Sequence, residues 1–208
     1  MANSIWQFIN KTLIQMKNTV HYALVLDQSG SMESLKEVTI SSFNEQIDSI
    51  RGMIQKHPDS VVKVTLCVFN EDVELRMVAA GIDQVGKLGH HNYRPNSCTA
   101  LYDAMGITLL RMQETIMPAD KVFLAFFTDG HENASRNYSL ADIVHKLDDA
   151  KLKGWNIRFY CNTLDLDYFR ERLRLNESDM QGITLNDNGV RLMQASMKNV
   201  MYDIIRRK

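Results

Sequence analysis

No stretch of this 208-residue chain approaches the roughly 18 consecutive apolar residues that a membrane-spanning helix needs. Nor is there an excess of positive charge. Lys and Arg number 24 against 25 Asp and Glu, a formal net charge of −1. A chain so balanced has no electrostatic footprint for neutralising phosphates, which excludes nucleic acid as an expected partner. Cysteine is scarce: Cys67, Cys98 and Cys161 form an odd set without a close pair, so no disulfide framework is expected. Cys67 and Cys161 lie in apolar runs, where a free thiol behaves as a small buried hydrophobe, and a reducing compartment follows. No His and Cys group with zinc spacing is present. The opening segment, "MANSIWQFINKTLIQMKN", lacks the unbroken apolar core and the cleavage site of a signal peptide, because Gln7, Asn10, Lys11 and Gln15 interrupt it. The expected location is cytoplasmic. Neither G-x-x-x-x-G-K-[ST] nor G-x-G-x-x-G occurs, so a nucleotide-binding loop of either kind is not expected.

What the chain does have is an alternation of strand and helix signals in one sizeable domain. "HYALVLD" is a short continuous apolar run of the kind buried on both faces of a sheet. Residues 34–57 place Leu35, Val38, Phe43, Ile47, Ile50 and Ile54 at helical spacing and stop at Pro58. "VVKVTLCVFN" and "VELRMVAA" are separated only by Glu71 and Asp72, which predicts a hairpin. Residues 81–98 show no period and form a long loop, a length often tied to function. A helix over "TALYDAMGITLLRMQETIM", a strand over "KVFLAFFTDG", and a helix from the Ser139 cap to Gly154 come next. "NIRFYCNTL" predicts a strand, "DLDYFRERLRL" a short helix, "GITLN" an edge strand, and 187–206 a last helix. The expected fold class is α/β: a doubly wound, mostly parallel open sheet with helices on both faces and "VELRMVAA" as one antiparallel edge strand. Residues 1–18 form a separate amphipathic helix in this scheme, with Ile5, Trp6, Phe8, Ile9, Leu13 and Ile14 as its apolar stripe, and 19–208 the domain itself. That stripe packs on its own domain or on a neighbouring copy, through which the chain would oligomerise, or it serves as a docking helix for a partner or a membrane surface.

Ligands of doubly wound sheets bind at the carboxyl ends of the strands. Three oxygen-rich segments fall at that edge here. "DQSGSM" follows the first strand and brings Asp27, Ser29 and Ser31. "NSCTALYDA" brings Thr99, and "FTDGHENAS" brings Asp129. Two carboxylates and three hydroxyls are hard donors that suit Mg²⁺ first, with Mn²⁺ or Ca²⁺ behind it. Each has a plainer role available: Asp27, Ser29 and Ser31 as turn residues, Thr99 as a helix cap. His90 and His91 are read as solvated loop residues. Glu132 is either an outer support of the site or a solvent-facing turn residue.

These segments resemble the von Willebrand factor A-type domain, of the stand-alone bacterial type. "DQSGSM" matches that family's D-x-S-x-S signature, and "TALYDAMG" and "TDGHENAS" are similar to its other two segments. The resemblance covers about residues 20–205. It implies a metal-ion-dependent adhesion site with Asp27, Ser29, Ser31, Thr99 and Asp129 as metal ligands, directly or through water. It further implies an open position that takes a Glu or Asp from a protein partner, and no enzymatic activity. Cys98 departs from the pattern, standing where many members have Gly, and the N-terminal helix lies outside the motif. The alternative is a metal-dependent hydrolase of phosphoesters or esters built on the same oxygens. Against it, "DQSGSM" is not the G-x-S-x-G elbow, and His131 is the only histidine near a motif.

Overall fold

A computed structural model of the chain describes residues 18–206. The expected N-terminal helix therefore lies outside the described residues, except Asn18, which opens the first strand. Strands β1 (Asn18–Asp27), β2 (Ser60–Phe69), β3 (Val73–Gly81), β4 (Lys121–Phe127), β5 (Asn156–Asn162) and β6 (Met180–Ile183) form one sheet in the order β3-β2-β1-β4-β5-β6. All neighbours are parallel except the β2–β3 hairpin. Helices α1 (Lys36–Lys56), α2 (Leu101–Thr115), α3 (Leu140–Leu152), α4 (Leu166–Leu173) and α5 (Asp187–Arg206) cover both faces. The expected fold class is the observed one.

The two faces follow from the period of two along each strand. Val20, Tyr22, Leu24 and Leu26 of β1 pack with α1 and α5, while Ala23 and Val25 face α2, α3 and α4. β1 sits between two parallel strands and is almost wholly buried, which is why it reads as a continuous apolar run rather than an alternating one. In α5, Val190, Met193, Met197, Met201 and Ile204 recur at three or four residues and bury one stripe against the sheet. α3 starts at Ser139, which exchanges hydrogen bonds with Asp142 as a capping box. It ends just before Gly154, whose φ of 77° only glycine adopts at no cost.

The last strand is offset from its expected place. β6 is Met180–Ile183, because a 3-10 turn at Glu177–Asp179 feeds it early and Asn186 is taken up in starting α5. Asn186 accepts from the Gly189 amide at 2.9 Å. A methyl group on Gly189 would overlap the Thr184 carbonyl oxygen, which is backbone and has no room to retreat. Gly189→Ala is therefore expected to cost about 2 kcal/mol of unfolding free energy, as overpacking does. Urea denaturation measures it, and an unchanged midpoint would show that this turn yields.

Candidate metal centre

The strand order reverses direction between β1 and β4, and the crevice at their carboxyl ends is where all three expected segments meet. Asp27 ends β1 and is buried. Its Oδ1 accepts from the Ser29 amide at 2.6 Å, an Asx turn, and its Oδ2 accepts from the Thr128 hydroxyl at 2.6 Å. Tyr93, buried in the long loop, donates its hydroxyl to the Asp27 carbonyl at 2.6 Å. Ser29 and Ser31 then bring their hydroxyls to 3.2 Å from one another. Ser31 donates to Asp129 Oδ1 at 2.6 Å, closing the first segment onto the third. Thr99 completes the group. A Cβ built on Gly130 would stand 3.4 Å from the Thr99 hydroxyl and 3.7 Å from that of Ser31, so both hydroxyls border the space that this glycine leaves open.

Asp27 does fill the plainer role of a turn residue through its Asx turn, but Ser29 and Thr99 are not absorbed by theirs. Ser29 stands at the start of a 3-10 turn (Gly30–Leu35) without capping it. Thr99 does not cap α2: the capping position is Ala100, again without a side-chain bond. The free amides of α2 are taken from elsewhere. Glu132 accepts from the Tyr102 amide at 2.9 Å as well as from Ala134 and Ser135, and Ser135 Oγ accepts from the Asp103 amide at 3.0 Å. Asn133 and Thr99 exchange two bonds, the Thr99 amide donating at 2.8 Å and its carbonyl accepting at 3.0 Å. Glu132 is thus a brace that holds the Thr99 segment against the Asp129 segment, and not a turn residue facing solvent. His90 and His91 are exposed, as expected.

Asp103 is the other half of the brace. It accepts from the amides of Arg136, Asn137 and Tyr138 and from the Asn137 side chain, at 2.8–2.9 Å. Burial pushes its carboxyl up, but these four donors outweigh burial and hold it below its ordinary value. Its contribution to stability is complete above about pH 4 and is lost as the pH falls through the lowered folded value. Asp103→Ala strands the amides of 136–138 and is expected to cost at least about 2 kcal/mol, read by urea denaturation at neutral pH. The loss should shrink in acid, where the wild type surrenders the same interaction.

The two carboxylates of the candidate site shift the other way. Burial pushes Asp27 up to about 6, against the pull of Thr128 and Ser29, and the charge of Asp129 adds to the rise. Burial also raises Asp129, offset by the Ser31 hydroxyl and a backbone amide. Both anions are held short of the solvation they would have in water. Among the described residues no three His, Cys, Asp or Glu side chains gather around one point. The assembled donors are two carboxylates with hydroxyls, all hard oxygens, which fits a hard divalent cation and not a zinc-type cluster. The hydroxyls of Ser29 and Ser31 bond to each other and to Asp129, and not to histidine. His131 turns instead to Asp165, at 2.9 Å, and stacks on Tyr168.

Thr128, Tyr93 and Asp103 did not stand out in the sequence, whereas Glu132 did, as one of two alternatives. Of the three, only Thr128, next to a predicted ligand, carried any signal, as a small hydroxyl at the end of the most apolar strand.

The fold is that of a von Willebrand factor A-like α/β domain. The PilB minor pilin of Streptococcus sanguinis superposes with a TM-score of 0.65 at 12% identity over 92% of this chain and 63% of that one. Proximal thread matrix protein 1 of the mussel byssus, solved with a zinc-occupied MIDAS motif, gives 0.59 at 13% identity over 91% of this chain and 47% of that one. The VWA domain of SpRpn10 gives 0.54 at 10% identity over 81% and 88%. The chain spans less than two thirds of the first two proteins. No family model and no curated relative matches the sequence.

Proposed function

We propose that the chain is a metal-ion-dependent protein-interaction module and not an enzyme. The observation that carries this is the meeting of Asp27, Ser29, Ser31, Thr99 and Asp129 around one crevice at the strand ends, with no capping role to occupy Ser29 or Thr99. These five residues would hold a divalent cation, Mg²⁺ first and Mn²⁺ or Ca²⁺ next. Two carboxylates balance such an ion's charge only formally, with hydroxyls and water completing its shell. The bound ion supplies an electrophilic seat for a partner's Glu or Asp. The zinc-occupied MIDAS motif of the mussel protein supports the assignment by likeness of fold. The free thiols of Cys67, Cys98 and Cys161 fit a reducing, cytoplasmic setting.

Melting curves in millimolar Mg²⁺ and in EDTA test the site. An ion that binds only the folded state adds about 2.7 kcal/mol at a hundredfold excess over Kd. Identical curves would remove the basis of the proposal. A screen of phosphoesters and acyl esters is expected to give no turnover. Turnover that Ser29→Ala or Ser31→Ala abolishes would make the chain a hydrolase instead.

A further inference from the structure

We propose that the partner is recognised through an acidic segment with at least two carboxylates, one for the metal and a second for a cationic groove beside it. The first contact rests on the metal-site proposal; the second rests on the groove alone. The groove lies between β3 and the long loop and has a volume of about 600 Å³. Arg76 on β3 forms one wall, with its Nε donating to Glu74 Oε2 at 3.1 Å. Its Nη1 is buried and has no hydrogen-bond partner among the described residues. Buried behind the wall, it adds positive charge to the groove and is not itself a donor that an occupant touches. Lys87 and Arg94 line the groove from the loop side, both exposed and neither in an ion pair among the described residues. Three cations thus face the single carboxylate of Glu74, and charge complementarity selects an acidic occupant.

The groove is continuous with the metal centre. Gln28, next to Asp27, lines it, and its carbonyl accepts from the Asn96 amide at 2.9 Å. Gly30 donates to the Ser97 carbonyl at 3.0 Å. Ser97 itself is held at a φ of 64°, and this left-handed turn leads the groove wall straight into Cys98 and Thr99. Strain of this kind persists where the surroundings over-determine it. An extended acidic segment lying along this wall reaches the groove and the metal position from one side of the molecule.

The test uses fluorescently labelled octaglutamate as the probe, followed by anisotropy on the whole chain with Mg²⁺ or EDTA. Octaglutamine controls for backbone binding, and inorganic phosphate is the competitor. The doubly reversed variant Lys87→Glu with Arg94→Glu is expected to weaken binding in Mg²⁺ at least tenfold, with its Mg²⁺-induced melting shift unchanged. Arg76→Gln is expected to weaken it as well, and Asp129→Ala is expected to remove only the Mg²⁺-dependent part. Wild-type affinity in the reversed variant overturns the proposal, as does equal binding of octaglutamine. Complete displacement by inorganic phosphate at matched ionic strength also overturns it, since the groove would then be a simple anion hole. The two proposals fail separately. A normal Mg²⁺ shift with no effect of charge reversal removes the groove alone. No Mg²⁺ shift, with charge reversal still abolishing binding, removes the metal alone.

Discussion

Asp129→Ala is expected to erase the Mg²⁺-induced stabilisation altogether while leaving the domain folded. Asp129 supplies one of the two carboxylates in the cluster and anchors Ser31 at 2.6 Å, so its loss would halve the charge the proposed site offers an ion and would untie a hydroxyl. A hard cation with one charged ligand competes poorly with its own hydration shell. The fold has little need of this side chain. The loop that carries it is held by Glu132, Asn133 and Asp103, none of which bonds to Asp129. In EDTA the variant should melt at or above the wild-type temperature, because the charge of Asp129 is one of the causes that raise Asp27. Differential scanning calorimetry with Mg²⁺ and with EDTA separates the two effects. Retention of the wild-type shift would mean that the ion sits elsewhere. Partner capture with the same four samples should be strongest in wild type with Mg²⁺ and fall to one common lower level in the other three.

Asp27→Asn is expected to make the metal-free protein more stable near neutral pH and indifferent to Mg²⁺. The folded carboxyl titrates at about 6, above its ordinary value near 3.8, with burial as the largest cause. The folded state therefore binds the proton more tightly than the unfolded chain does. The contribution is fully present below about pH 4, declines as the pH rises to about 6, and is absent beyond. A rise of about two pH units corresponds to about 3 kcal/mol as an upper bound. Asparagine has the same shape and carries no charge. Its oxygen can accept from the Ser29 amide, and its NH₂ can donate to Thr128 Oγ1, whose own proton then turns to the Gly130 carbonyl at 3.0 Å. The expected gain in EDTA at pH 8 is about 1–3 kcal/mol, vanishing near pH 4. Urea denaturation across that range is the measurement. His21, bonded to Asp120 and lowered by burial, acts in the opposite sense, its contribution falling as the pH drops below about 6.5. It is common to both proteins and cancels in the difference. A variant less stable than wild type at pH 8 would show that the hydrogen bonds of Asp27 outweigh its buried charge.

Much of this was legible in the chain itself, for reasons that are local. The helical stripe of residues 38–54, the Ser139 cap, the hairpin across Glu71 and Asp72, and the apolar runs of β1 and β4 all depend on residues a few positions apart. The position of Asp27 and Asp129 at strand ends follows from those runs. A parallel sheet puts all such ends on one edge, so the segments carrying Asp27, Ser29, Ser31, Thr99 and Asp129 were bound to be near each other once the strands were assigned. The slip at β6 came from a short, half-buried edge segment, where neither burial nor periodicity marks the boundary.

The supports of the site were decided by tertiary structure alone. Tyr93 finds the Asp27 carbonyl across 66 residues, and Thr128 finds its carboxylate across 101. Glu132 and Asp103 bond mainly to backbone amides, which every residue offers, so no residue type in the sequence announces the partner. The groove is of the same kind. Arg76 belongs to an edge strand and Lys87 and Arg94 to an irregular loop, and their charges look like ordinary surface charge until the loop folds back over β2 and β3. Local patterning determines which residues stand at the strand ends; only the closing of long loops over the sheet determines which distant groups hold them there, because a hydrogen bond or a shared charge field depends on separation in space and leaves no period along the chain.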